Sequence, residues 1–174
     1  LRIDRGGGVH ATTYWDAVAE AERAAAHRLR GVGLPEAVDE LDRLVRTSVR
    51  NRMVADVPVG AFLSGGIDSS LVTAVMQAES GRPVPTFSVG FPWAFDESEY
   101  ARGVAAHLGT EHHALHLDSR TALDLVPRMA RFYDEPFGDT SQIPTCLVSQ
   151  EARKHVTVAL TGDAGDEIFL GYQH

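Results

Sequence analysis

Residues 59–80 read VGAFLSGGIDSSLVTAVMQAES. A short apolar run meets two adjacent glycines, and a helix-forming run follows at once. The apolar run is too short for a core helix and fits a buried strand. Gly65 and Gly66 permit a tight turn. The segment IDSSLVTAVMQAES then reads as a helix, stopped by Gly81. A strand that enters a helix through so short a turn limits the chain to few architectures.

The same unit recurs. PTFSVGF reads as a second strand and DESEYARGVAAHLG as a helix, with Asp96 as its N-cap and Glu99 three places on. EHHALHL reads as a third strand, and residues 119–132 read as helical. TSQIPTCLVSQEARK contains a further helix with Pro144 in its early part, and VTVAL is a fourth strand. Strands alternating with helices predict an α/β fold, a mainly parallel sheet flanked by helices on both faces. Functional loops then belong at the carboxyl ends of the strands. Ahead of this core, residues 1–12 read as a loose arm around RGGGVHATT. Tyr14–Leu29 reads as a helix that RGVGLP breaks. Residues 36–53 read as a second, with Val38, Leu41, Leu44, Val45, Val49 and Met53 at helical spacing and expected in the core. Arg43, Arg46, Arg50 and Arg52 add local positive charge, read as a solvated face, with a phosphate-facing role as the lesser alternative.

The chain has 24 acidic and 16 basic residues, a net charge of -8. That balance disfavours nucleic acid as a partner. No apolar run is long enough to span a membrane, and the first residues lack a signal-peptide pattern. Cys146 is the single cysteine, so an internal disulfide and a multi-cysteine metal site are both excluded. A cytoplasmic location is the expectation. A homo-oligomer is left open.

The SGG turn suits an anion. Backbone N–H groups at the start of the following helix can converge on a phosphate, and Ser64, Ser69 and Ser70 add hydroxyl donors. The Gly-Lys-Ser/Thr of a P-loop and the GxGxxG of a dinucleotide fold are both missing. Asp68 would repel a phosphate unless a magnesium ion reverses the local charge. The competing reading is that Asp68 caps the helix and the glycines only make the bend. In TGDAGDEIFLGY, Asp163, Asp166 and Glu167 crowd together after the fourth strand. Such crowding suits magnesium with phosphate oxygens completing the shell, or else an acidic helix start favoured by its dipole.

Other candidates are weaker. His112 and His113 are adjacent on a strand and face opposite ways, which argues against zinc, and His116 adds little. Phe132, Tyr133 and Phe137 are expected to pack, and Met76 and Met129 to fill the core.

Taken in order, DVPVGAFLSGGIDSS, TFSVGF, DESEYARGVAAHLGTEHH, DEPFGDTSQIPT and LTGDAGDEIFLGY resemble the synthetase domain of glutamine-hydrolysing asparagine synthetases, over roughly residues 12–174. The resemblance extends to the related beta-lactam-forming synthetases. It implies an adenine-nucleotide alpha-hydrolase-like fold, with residues 13–174 a partial ATP-pyrophosphatase-type synthetase domain that includes an N-terminal helical segment. It implies ATP and Mg2+, aspartate or another small carboxylate as substrate, and a beta-aspartyl-AMP intermediate that ammonia converts to asparagine. By the resemblance, Ser64, Gly65, Gly66, Asp68, Ser69 and Ser70 form the pyrophosphate loop, and Leu63, Val89 and Gly90 lie near the adenine. Thr161, Gly162 and Asp163 lie near the activated aspartyl group. Asp68 and Asp166 are the metal-associated acids, and Glu167 accompanies them. Asp139, Ser141 and Pro144 match a family segment without an assigned role.

The chain departs from the family pattern at Ala164 and Leu170, where glycines are common. An alanine at 164 is a small change unless the backbone there needs positive φ. The N-terminal glutaminase domain and its nucleophilic cysteine are absent from this chain, and Cys146 does not replace that cysteine. Alternatives left open are a ligase for another carboxylate and a catalytically silent nucleotide-binding domain.

Overall fold

The structure is a computed structural model, and it describes residues 1–26, 31–91, 96–116, 118–136, 138–169 and 171. The chain divides into two compact units, Leu1–Leu41 and Asp42–His174.

In the first unit, the expected loose arm is instead a small antiparallel hairpin, β1 (Arg2–Ile3) with β2 (Val9–His10). The Asp4 carboxylate makes the difference. It accepts from Gly6 N–H at 2.9 Å and from Gly8 N–H at 2.8 Å, which closes the glycine turn. Helix α1 covers Ala17–Ala26. The remainder of the expected helix, to Leu29, lies outside the described residues.

Helix α2 (Leu34–Met53) carries the predicted apolar stripe, but only its C-terminal half is used. Val45, Val49 and Met53 join the core, whereas Val38, Leu41 and Leu44 are 53%, 39% and 50% exposed. The 20-residue helix runs about 30 Å, and the second unit begins only at Asp42. Its arginines are held locally. Arg46 pairs with Asp42 at 2.7 Å, and Arg50 makes two bonds to Glu79, at 2.7 and 2.9 Å.

The second unit is built on a four-stranded sheet in the order β5–β4–β3–β6, every pair parallel. Its strands are β3 (Val59–Phe62), β4 (Pro85–Gly90), β5 (Glu111–His116) and β6 (Val158–Leu160). Helices α3 (Ile67–Glu79), α4 (Ser98–Leu108), α5 (Ser119–Leu125) and α6 (Gln142–Ala152) intervene, and α7 (Gly165–Phe169) follows β6. Strand alternation sends Ala61 and Leu63 to one face and Phe62 and Phe87 to the other. On the first face Ala61 packs with Val75, Met76 and Val49, while Leu63 packs with Ala101 and Ala105 of α4. On the second, Phe87 packs with Val148, Ala152 and Val156. Both faces are therefore covered, as a parallel sheet requires.

Local details differ from the pattern read in the sequence. Asp96 accepts from Ser98 N–H at 3.0 Å, so it caps α4 from one residue before the N-cap position, which Glu97 occupies. Glu99 pairs with Arg102 instead of closing a capping box. The helical stretch 119–132 is α5 followed by a 3-10 turn, Val126–Arg131, with Pro127 at the change. Phe132 is half exposed, with the Arg128 guanidinium 5.7 Å from its ring centre. Phe137 lies outside the described residues. Met76 is buried, and Met129 packs on Leu125 and Leu147.

His112 and His113 do face opposite ways. His112 lies 3.0 Å from Thr86 Oγ1 and 3.2 Å from Ser88 Oγ, while His113 stacks on Phe87. Burial pushes the His112 imidazole below its ordinary value of 6.5, and His113 and Arg102 add to the shift. The unfolded chain takes up a proton here below about pH 6.5, whereas the folded chain resists it to lower pH. Stability is therefore lost as pH falls through that window. His112→Gln should flatten the pH dependence of the urea midpoint between about pH 7 and 5. Parallel profiles for the two proteins would assign the acid sensitivity to other groups.

Candidate active site

The strand order changes direction at β3. From β3 the chain moves outward to β4 and β5, then returns to place β6 on the other side of β3. A crevice opens at such a reversal, outside the carboxyl ends of the two strands. Val59, Gly60 and Ala61 pair with Val158, Ala159 and Leu160, so the segments leaving β3 and β6 emerge side by side.

The segment after β3 is shaped by Gly65. Its φ is +84°, and a Cβ there would lie 2.6 Å from Tyr100 Cβ and 2.7 Å from Ala101 N. Only glycine fits against α4 in that conformation. Ser64 and Ser69 tie the turn together. Their hydroxyls are 2.9 Å apart, Ser64 N–H donates to Ser69 Oγ at 3.2 Å, and Gly66 N–H donates to Ser64 Oγ at 3.2 Å. Helix geometry leaves the N–H groups of Ile67, Asp68 and Ser69 without intrahelical acceptors. The Ser70 hydroxyl is buried and meets no partner among the described residues.

The segment after β6 folds into a tight turn. Gly165 N–H donates to Gly162 O at 3.3 Å, and Ala164 has φ +74°. Asp163 and Ala164 are its two central residues, and a positive φ at the second alone defines a type II turn. Glycine is the usual occupant there, and an alanine costs about 1 kcal/mol. Gly162 presses on α3: a Cβ would lie 2.7 Å from Ser69 N and 2.9 Å from Asp68 C. At Gly165 a Cβ would meet the Asp68 carboxyl itself. Asp68 is thus flanked by two glycines of the other segment.

A third wall comes from the approach to α6. Asp139 accepts from Ser141 N–H at 2.8 Å, a bond that holds the Asp139 carboxyl below the usual carboxylate range. Together these walls enclose a cleft of about 1090 Å³. It is lined by Asp68, Asp139, Asp163, Asp166 and Glu167, and by no lysine, arginine or histidine among the described residues.

Of the residues singled out in the sequence, Ser64, Gly66, Asp68, Ser69, Thr161, Gly162, Asp163, Asp166, Glu167, Asp139 and Ser141 share this cleft. Leu63, Gly65, Ser70, Val89, Gly90 and Pro144 do not line it. Leu63 is buried against α4, with its N–H on Phe87 O at 2.9 Å. Val89 packs on both sides of the second face, and Gly90 ends β4 with no room for a Cβ beside Asp96 Oδ1, 2.6 Å away. Leu170 lies outside the described residues. Phe62, Ile67, Thr145, Ala164, Gly165 and Phe169 line the cleft without having been selected as site residues. Phe62 and Ile67 flank the SGG turn, and that proximity was the available signal.

The profile of the asparagine synthase family matches residues 40–174. The chain belongs to this family. A protein of Methanocaldococcus jannaschii, whose name places it among the glutamine-hydrolyzing asparagine synthetases, is 46% identical over 136 residues, covering 78% of this chain and 26% of its own length. Asparagine synthetase (glutamine-hydrolyzing) 1 of Bacillus subtilis is 42% identical over 136 residues, covering 78% and 21%. This chain therefore spans about a quarter of the length of such relatives. A solved structure of NMN synthetase from Francisella tularensis superposes with a TM-score of 0.52 at 16% identity, over 82% of this chain and 59% of that one. The α/β fold with its parallel sheet is thus shared with that structure. No described helix is long and apolar enough to cross a membrane.

The contact of Gly162 with α3 is testable by itself. Gly162→Ala should cost about 1–3 kcal/mol of unfolding free energy, because the added methyl meets backbone that cannot yield. Gly103 has no atom within 4 Å of its would-be Cβ, so Gly103→Ala is the control and should not destabilise. Equal loss in both variants would remove the close contact as the cause.

Proposed function

We propose that residues 13–174 are part of an ATP-pyrophosphatase-type synthetase domain that activates aspartate as a beta-aspartyl adenylate on the way to asparagine. The observation that carries this reading is the junction of the two strand-end segments, where Asp68 sits between Gly162 and Gly165. One segment offers free backbone N–H groups and hydroxyls, which suit a pyrophosphate. The other offers Thr161, Gly162 and Asp163 beside the place where the activated acyl group would form.

In the proposed reaction, an oxygen of the substrate carboxylate attacks the alpha-phosphorus of ATP. The bond from that phosphorus to the bridging oxygen breaks, and pyrophosphate leaves. Ammonia then displaces AMP. No protein nucleophile is needed, so the chain aligns reactants and stabilises charge. The N–H groups of Ile67, Asp68 and Ser69 would hold the pyrophosphate, with Ser64 and Ser69 ordering the turn. Leu63, just past the end of β3, and Val89 and Gly90, on the neighbouring β4, would receive the adenine.

Asp68 and Asp166 would hold Mg2+. The fit follows from the donor set: carboxylate oxygens, with no sulfur or imidazole on the cleft wall among the described residues. Among the described residues no three acidic, His or Cys side chains stand ready as a metal cage, which suits an ion that arrives with phosphate oxygens. When bound, the ion supplies the positive charge that lets triphosphate and carboxylates share the cleft. In the whole protein, a separate N-terminal glutaminase domain would supply ammonia, and the setting would be cytoplasmic.

ATP–pyrophosphate exchange by the full-length protein, with magnesium and a panel of carboxylates, decides the reading. Aspartate-dependent exchange is expected, and Asp68→Asn and Asp166→Asn should each reduce it about 100-fold or more. Exchange with a different carboxylate would keep the chemistry and replace the substrate. Binding of ATP without exchange would instead indicate a silent nucleotide-binding domain.

A further inference from the structure

We propose that the methyl group of Ala164 sets the size limit for the acyl group that the cleft accepts. The assignment rests on the adenylation reading and adds a specificity residue to it.

Ala164 is the one non-glycine residue with positive φ among those described, at +74°. It occupies the second central position of the type II turn, where glycine is unstrained. Strain of this kind persists when something else is gained. Packing does not supply the gain, because Ala164 is exposed. Hydrogen bonding does not supply it either. The Ala164 carbonyl accepts from Ile168 N–H at 3.2 Å, and glycine would offer the same carbonyl. What alanine adds over glycine is a methyl group, on a residue that lines the cleft next to Asp163, together with Ser141 and Thr145. A methyl at such a place removes volume beside the reacting acyl group. One methylene of pocket space is worth about 10-fold or more in discrimination between homologous substrates.

The test uses the full-length protein and exchange kinetics with aspartate and with glutamate, which is one methylene longer. Ala164→Gly should raise the glutamate-to-aspartate ratio of kcat/KM about 10-fold, mainly through KM for glutamate. Ala164→Asn, which tolerates the left-handed conformation but is bulkier, should lower that ratio. Ala164→Gly should also raise the unfolding midpoint, a readout independent of activity. A higher midpoint with an unchanged ratio in both variants would overturn the assignment and leave only relieved strain. Absence of exchange with any carboxylate in the parent protein would overturn the adenylation reading, and this assignment with it.

Discussion

The geometry of the cleft depends on the contact between Gly162 and the first turn of α3. Two strand-end segments, about a hundred residues apart in the chain, approach until no side chain fits between them. Everything in the cleft is measured from that contact. It brings Thr161 and Asp163 to the turn that carries Ser64 and Ser69. It also fixes Asp68 against the backbone of the other segment. The contact exists because β3 and β6 are hydrogen-bonded neighbours although the chain between them builds two further strands. Sheet topology thus positions the site, and glycine permits the last ångströms.

That geometry creates an electrostatic problem. Acidic side chains surround a space proposed for a polyanion, with no basic side chain on the described wall. Like charges a few ångströms apart repel by about 4 kcal/mol at an effective dielectric of 20. Backbone N–H groups at the start of α3 offset part of this, since they carry partial positive charge without a counter-ligand of their own. They cannot offset all of it. On the proposed reading, a divalent cation entering with the nucleotide would reverse the sign of the two nearest carboxylates' contribution. The same acids that make an empty cleft unfavourable for phosphate would then make it selective for the metal-bound form.

Much of this was legible in the sequence. The alternation of short apolar runs with helical runs implied the parallel sheet, because strand period, turn glycines and helix spacing are all local signals. The glycines of SGG and TGDAGD marked the strand-end turns for the same reason. Partnership was less legible. The apolar stripe of α2 has helical spacing throughout, yet Leu44 is exposed while Val45 is partly buried, because periodicity defines a face and not the extent of what covers it. Asp96 signalled a cap, but its bond falls one residue early, where loop geometry decides. Asp4 shows the reverse: three glycines suggested a floppy arm, and one carboxylate with two backbone bonds ordered it into a turn. The strain at Ala164 was posed as a condition on φ, and only coordinates could meet it.

The serines of the turn illustrate how a side chain can act through the backbone it holds. Ser69 is buried and its hydroxyl is spent on Ser64, inside the turn. Its backbone N–H, by contrast, meets no acceptor among the described residues. A hydroxyl that holds the turn closed keeps that N–H and its neighbours aimed in one direction before any ligand arrives. Donors held in this way need no reorganisation when charge develops, which is where electrostatic catalysis gains most. The Ser64–Ser69 pair and the Gly162 contact therefore serve the same end from opposite sides: both convert flexible, small residues into a fixed backbone surface.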